Sequence, residues 1–180
     1  SVFAIVAETV AAARAAMLLA KIDYDPLKAI LTIDAAMEAN SYLGPPCKME
    51  KGTPDQYLTT APHRLSGQLY CGGQEHFYLE GQAALAVPGE DGDMQLYAST
   101  QHPSEIQHKV ADMLGVASHA VTVETRRMGG AFGGKESQGN LPALTAALAA
   151  HLTGRPAKTV YDRDDDFMLT GKRHDFRIDY

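Results

Sequence analysis

An α+β fold with mixed sheets and packed helices is what this 180-residue chain predicts. Three observations carry that expectation. Ala120 to Thr125, with Val121 and Val123 alternating with polar neighbours, reads as a strand. Gln138 to about His151 reads as a helix, with Leu141, Leu144, Leu148 and Leu152 at helical spacing. Phe77 to Val87 and Met94 to Ser99 read as two strands folded back on each other across the acidic turn Glu90 to Asp93.

In chain order, Val2 to Ala7 reads as a short buried strand. Glu8 or Thr9 then opens a helix to about Lys21, its apolar stripe being Val10, Ala13, Met17 and Ala20. Ile22 to Leu27 reads as a strand ended by Pro26, and Ile30 to Asp34 leads into a short helix, Ala35 to Glu38. Pro45-Pro46 closes this first part. Cys47 to Pro54 is polar and turn-like, and the linker is set at residues 47–56. Tyr57 to Thr60 and Ser66 to Tyr70 read as strands, and Gly72-Gly73 as a turn. After the hairpin, His102-Pro103-Ser104-Glu105 starts a helix, with proline at the first helical position and the acid in the first turn. Ile106, Val110, Met113 and Leu114 are its inner face, and Gly115 stops it. The long helix after residue 138 stops at Gly154. Thr159 to Tyr161 is a strand, Asp162 to Asp166 an acidic helix start, and Phe176 to Tyr180 the last strand.

Composition narrows the function classes. Apolar residues make up 45%, a globular level, and the net charge of −6 disfavours a general nucleic-acid surface. No apolar run is long enough to span a membrane. Cys47 and Cys71 lack metal-ligand spacing, so two buried free thiols in a reducing compartment are expected. The chain starts with Ser1 and stops inside an apparent strand, and it is read as a piece of a longer protein.

The chemistry concentrates in Met128-Gly129-Gly130-Ala131-Phe132-Gly133-Gly134-Lys135-Glu136. A strand precedes this glycine loop and a helix follows it. That layout aims main-chain N–H groups, with a helix N-terminus behind them, at an electronegative object. The dinucleotide pattern fails at Ala131, and the phosphate-loop pattern fails because Glu136 follows Lys135. Glu136 suits a polar organic ligand better than a phosphate. A plain βα turn, with glycines used only for packing, is the competing reading.

Arg126 to Glu136 resembles the corresponding loop of the molybdenum hydroxylases, the xanthine dehydrogenase and aldehyde oxidase family. So do Gly73-Gln74-Glu75-His76-Phe77-Tyr78-Leu79-Glu80 and Ser99-Thr100-Gln101-His102-Pro103. All three occur in the family's order. Gln101 to Lys109 and Tyr161 to Asp166 look most like the bacterial xanthine dehydrogenase branch. The resemblance implies that residues 1–46 end a small, hammerhead-like α/β domain. It implies that residues 57–180 begin the molybdopterin-binding domain.

Several residues carry two readings. Gln101 is a local turn amide, or, as the resemblance implies, it reaches an oxo ligand of molybdenum; a neutral amide N–H can polarise such an oxygen without adding charge. Phe132 is a core plug, or its main-chain N–H faces the metal centre, with Gly130 and Gly133 allowing close approach. Ala131 departs from the family's usual glycine and, if φ there is positive, costs on the order of 1 kcal/mol. Glu136 is a helix N-terminal carboxylate, or it orients a purine, as the resemblance implies. His76 and Glu80 form a weak metal pair, or polar structural contacts. Asp162 to Asp166 is a solvated helix start rather than a calcium loop.

The resemblance implies a molybdenum–molybdopterin cofactor contacted partly here. In the whole enzyme, iron–sulfur clusters and FAD on other domains or subunits take the electrons, and neither is bound by this chain. The implied reaction oxidises hypoxanthine or xanthine towards urate with water, in the cytoplasm, without nucleic acid or membrane as partner. The family's base, its substrate arginine and its ring-sandwiching aromatics fall outside these residues, so no catalytic residue is assigned here. The isolated piece is expected to be inactive. An aldehyde or carbon monoxide-type oxidoreductase and a non-catalytic scaffold domain are the alternatives.

Overall fold

The computed structural model describes residues 3–180. In chain order the elements are α1 (Val10–Met17), α2 (Ile33–Glu38), α3 (Pro54–Thr60), β1 (Gln68–Cys71), β2 (Ala83–Pro88), β3 (Met94–Ala98), α4 (Pro103–Leu114), β4 (Val121–Glu124), α5 (Asn140–Thr153), β5 (Ala157–Val160), α6 (Arg163–Leu169) and β6 (Phe176–Asp179). They fall into two compact units. One comprises Glu75–Lys172 with the chain up to Ile22; the other comprises Asp23–Gln74 and Arg173–Tyr180.

The larger unit is built on a four-stranded sheet of order β4-β3-β2-β5. β2 and β3 form the expected hairpin, Pro88 opposite Met94 and Ala86 opposite Leu96. Its turn holds Asp91 at φ 52° and Gly92 at φ 88°, the left-handed pair that a tight reversal needs. β4 lies parallel to β3, with α4 between them in sequence, and β5 lies antiparallel to β2. The α+β expectation with mixed pairing is met.

One sheet face is buried. Met94, Leu96 and Ala98 alternate inward along β3, as the period of two requires, beside Ala84 and Ala86 of β2. Ile106, Val110 and Ala111 of α4 and Ala143, Ala146, Ala147 and Ala150 of α5 complete this core. The expected α5 stripe is corrected here. Leu141, Leu148 and Leu152 are exposed, and the alanine face lies against the core, because small side chains let the helix axis approach the strands closely. α5 also starts two residues later than expected. Pro142 has no N–H to give and fits only within a first turn, so Asn140 is the first helical residue. Gly115 and Gly154 end α4 and α5 in left-handed conformation, at φ 68° and 64°.

Other expectations fail for local reasons. Of the strand expected at Val2 to Ala7, Val2 lies outside the described residues, and Phe3 to Ala7 pairs with no strand. α1 is capped by Thr9, whose hydroxyl accepts from the Ala12 amide, but it buries none of its residues and ends at Met17. Phe77 to Gly81 does not belong to β2. Phe77 sits at φ 52°, and Tyr78 and Glu80 turn into a polar network instead of a ladder. The acidic run is only partly solvated. Asp162 caps α6 by accepting from the Asp165 amide, whereas Asp166 is buried and accepts from the Tyr78 hydroxyl.

In the smaller unit, β1 and β6 pair antiparallel, Leu69 opposite Ile178. Thr32 caps α2. Ile22 to Leu27 forms no strand, and Tyr57 to Thr60 belongs to helix α3. Pro54 at its first position and Asp55 in its first turn outweigh the β-favouring Tyr-Leu-Thr-Thr, and Thr59 and Thr60 give their hydroxyl protons back to main-chain carbonyls. Both cysteines are free as expected but not buried: Cys47 is exposed and Cys71 half-buried.

Candidate functional site

The glycine loop leaves the end of β4 and returns beside the end of β3. Its two ends are fastened differently from its tip. At the entrance, the Gly129 amide donates to Glu80 Oε2 at 2.9 Å, and the Glu80 amide donates to the Gly129 carbonyl at 3.2 Å. At the exit, Lys135 meets Gln101 and Thr100. The Gln101 amide N–H donates to the Lys135 carbonyl at 2.9 Å, the Thr100 hydroxyl donates to it at 3.2 Å, and the Lys135 N–H donates to Gln101 Oε1 at 3.2 Å.

Glycine serves two purposes in this loop. At Gly129 and Gly134 an added Cβ would lie 2.6 Å from Glu80 Cβ and 2.6 Å from Tyr78 Cε1, so these two are bare because neighbours pack against the backbone. At Gly130 and Gly133 the main chain has φ 95° and 89°, open to glycine and costly to other residues. The competing reading, packing alone, covers only half of the loop. The feared penalty at Ala131 does not arise. Ala131 is buried at ordinary φ, and the residue in left-handed conformation is Phe132, at φ 54°. For a bulky aromatic that is an outlier costing on the order of 1–3 kcal/mol, a strain characteristic of functional loops.

Phe132 is not a core plug, because 76% of it is exposed. The Gly134 N–H is used internally, donating to the Ala131 carbonyl at 2.8 Å. The N–H groups of Phe132 and Gly133 have no hydrogen-bond partner among the described residues, and neither has the Gln101 side-chain NH2. Glu136 is exposed and lies four residues ahead of α5, so it is not the acidic residue of that helix's first turn. Gln101, Gly130, Phe132 and Gly133 are thus brought into one loop system, with Glu136 just beyond Lys135. His76 and Glu80 do not form a metal pair. His76 stacks on Tyr78 with ring centroids 6.3 Å apart, and Glu80 is engaged with the loop. Among the described residues no cluster of three metal-ligating side chains occurs.

Sequence reasoning missed the network beneath the loop. Lys135 has 0% exposure. Its ammonium donates to Glu80 Oε2 at 3.0 Å and Ser99 Oγ at 2.8 Å, and it sits 4.8 Å above the Tyr78 ring. The Ser99 hydroxyl donates to the same Glu80 oxygen at 2.6 Å. Burial pushes the Glu80 carboxyl up, but hydrogen bonds from Ser99, Gly129 and Lys135 outweigh it and hold the group below the usual carboxylate range. Deeper still, Gln82 Nε2 donates to the Gly134 carbonyl and to the Tyr78 hydroxyl, both at 3.0 Å. Burial, and then the bond to Asp166, push the Tyr78 hydroxyl up. One signal was available in the sequence: a loop this poor in apolar side chains needs another anchor, and Lys135 is its only cation.

Free main-chain N–H groups, a free amide NH2 and a locally bare backbone form a donor set suited to an oxygen- and sulfur-rich anionic group. Residues 33–180 match the family model of the molybdopterin cofactor-binding domain, and the chain belongs to that family. Xanthine dehydrogenase/oxidase of Mus musculus is 47% identical over 178 residues, covering 98% of this chain and 13% of the relative. Xanthine dehydrogenase of Drosophila pseudoobscura pseudoobscura is 42% identical over 179 residues, covering 98% and 13%. The solved aldehyde oxidoreductase from Desulfovibrio gigas superposes with a TM-score of 0.79 at 25% identity, over 96% of this chain and 20% of that one. The chain therefore spans about an eighth of the length of the curated relatives it matches. No helix among the described residues is long and apolar enough to cross a membrane.

Proposed function

We propose that this chain is the cofactor-facing part of a xanthine dehydrogenase-type molybdenum hydroxylase, which oxidises hypoxanthine and xanthine towards urate with water. The observation that carries this reading is the orientation of Gln101. Its carbonyl oxygen is occupied by the Lys135 N–H, so only the NH2 end can address a ligand. In the loop that Gln101 meets at Lys135, the amides of Phe132 and Gly133 supply further donors, flanked by Gly130 and Gly133 at positive φ. Gln101, Phe132, Gly130 and Gly133 would hold the molybdopterin-bound metal group. When bound, that group supplies two-electron oxidation chemistry. The residues of this chain would orient it and donate hydrogen bonds to it.

Glu136 is assigned to the substrate. Its carboxylate is exposed, and a purine presents ring N–H groups that such an acceptor can bind and orient. Electrons would leave through iron–sulfur clusters and FAD carried elsewhere in the protein or on a partner subunit. The free cysteines suit the reducing cytoplasm. Aldehyde oxidation is the second reading, supported by the likeness to the Desulfovibrio enzyme.

The test is to assay the full-length protein with hypoxanthine, xanthine and aromatic aldehydes, before and after Glu136→Gln. Loss of about 10- to 100-fold in purine turnover, the scale of a charged hydrogen bond, with aldehyde turnover kept, is the expected result. Equal loss on both substrate classes, or none on purines, removes Glu136 from substrate recognition.

A further inference from the structure

We infer that Lys135, a wholly buried lysine paired with the half-exposed Glu80, is the positioning residue that sets both the shape of the glycine loop and the direction of the Gln101 amide. The inference rests on the reading of Gln101 as a cofactor contact and adds the device that aims it.

A wholly buried lysine is rare, since burying an ammonium costs several kcal/mol unless partners replace its water. Here three partners do so: Glu80 Oε2, Ser99 Oγ and the face of Tyr78. The same Glu80 oxygen also takes the Gly129 N–H at the other end of the loop. One carboxylate therefore ties residue 129 to residue 135. Between these fixed points lie only residues 130–134, including the three that hold positive φ.

Glycine-rich backbone loses much conformational entropy on ordering, and an apolar side chain buried beneath a loop usually offsets that loss. Of the loop's apolar side chains only Ala131 is buried, while the two large ones, Met128 and Phe132, are exposed. The ion pair takes the place of the missing apolar anchor. Its effect reaches Gln101 through the main chain. With the Lys135 side chain fixed from below, its N–H and carbonyl stand where they meet Gln101 Oε1 and the Gln101 N–H. A main-chain N–H can face only the oxygen end of an amide, so this contact decides which end of Gln101 is left free.

The experiment uses the full-length protein with Lys135→Met, Glu80→Gln, Gln101→Ala and the double variant Lys135→Met/Gln101→Ala. The first readout is hydrogen exchange of the loop amides in metal-free protein. Lys135→Met and Glu80→Gln are expected to speed exchange in residues 129–136 by at least about tenfold relative to β3 and α5, and Gln101→Ala to do so much less. The second readout is kcat and KM with the electron paramagnetic resonance spectrum of the molybdenum. Lys135→Met should lower kcat with little change in KM and alter that spectrum, and adding Gln101→Ala should cost little more. Unchanged loop exchange in Glu80→Gln and Lys135→Met, or losses that multiply in the double variant, overturn the inference. Should Lys135→Met fail to fold, the isosteric Glu80→Gln decides on its own exchange rates. A Gln101→Ala variant with unaltered kcat and spectrum instead overturns the reading of Gln101, whatever the exchange data show.

Discussion

Gln101 and Lys135 hold each other twice: the Gln101 N–H donates to the Lys135 carbonyl at 2.9 Å, and the Lys135 N–H donates to Gln101 Oε1 at 3.2 Å. The pair joins the end of β3 to the exit of the glycine loop across a gap of 34 residues in sequence. Its chemical consequence is directional, because the side-chain NH2 alone remains available. Gln101→Glu keeps the acceptor for Lys135 and removes the donor. In the full-length enzyme it is expected to lower kcat by about 10²–10³-fold, the scale of losing one preorganised donor, with molybdenum content retained. Steady-state kinetics beside metal analysis check this.

The Glu80 carboxyl is held below its usual range, so in the unfolded chain it takes up a proton at higher pH than in the folded one. Its contribution to stability is complete above the unfolded value, about 4.3, and disappears as pH falls through the lower folded value. Urea midpoints measured from pH 7 down to pH 3 should therefore fall less steeply in Glu80→Gln than in the parent below about pH 4.3. Parallel curves would mean that Glu80 is not ionised more readily in the folded state.

The inward face of α5 is tested by opposite substitutions. Leu96→Ala, in the centre of the sheet core, should cost about 2–5 kcal/mol. Ala147→Leu should cost about 1–3 kcal/mol or more, because the alanine face leaves no room for an added branch. Leu152→Ala, on the exposed face, should stay within about 0.5 kcal/mol. Denaturant unfolding of the chain measures all three, and a large loss at Leu152 would reinstate the leucine stripe as the buried one.

The 180 residues by themselves are expected to carry far less than one molybdenum per chain after purification. They span 13% of the relatives' length. Elemental analysis of the purified chain checks this, and a stoichiometric metal content would show that these residues suffice to hold the metal.

Much of this molecule was legible in linear order because the signals were local. Pro103 and Gly115 bound α4, the Glu90 to Asp93 turn closes the hairpin, and the glycines mark the loop; each depends on conformations available to a few neighbouring residues. Local chemistry also explains two errors. Pro54 started a helix where β-favouring residues suggested a strand, and Pro142 delayed the start of α5. The sequence alone thus determined the α+β class, the order of most elements and the family to which the loop belongs.

Tertiary structure decided what each side chain faces. The helical spacing of α5 allowed a leucine face or an alanine face inward, and only the close approach of helix to strands selected alanine. Phe77 to Gly81 looked extended, yet Tyr78 and Glu80 were drawn into polar contacts with residues 88 and 55 positions away. The burial of Lys135 was invisible for the same reason. A charge can leave water only where a distant carboxylate, hydroxyl and aromatic face converge on it, and that convergence is a property of the folded chain.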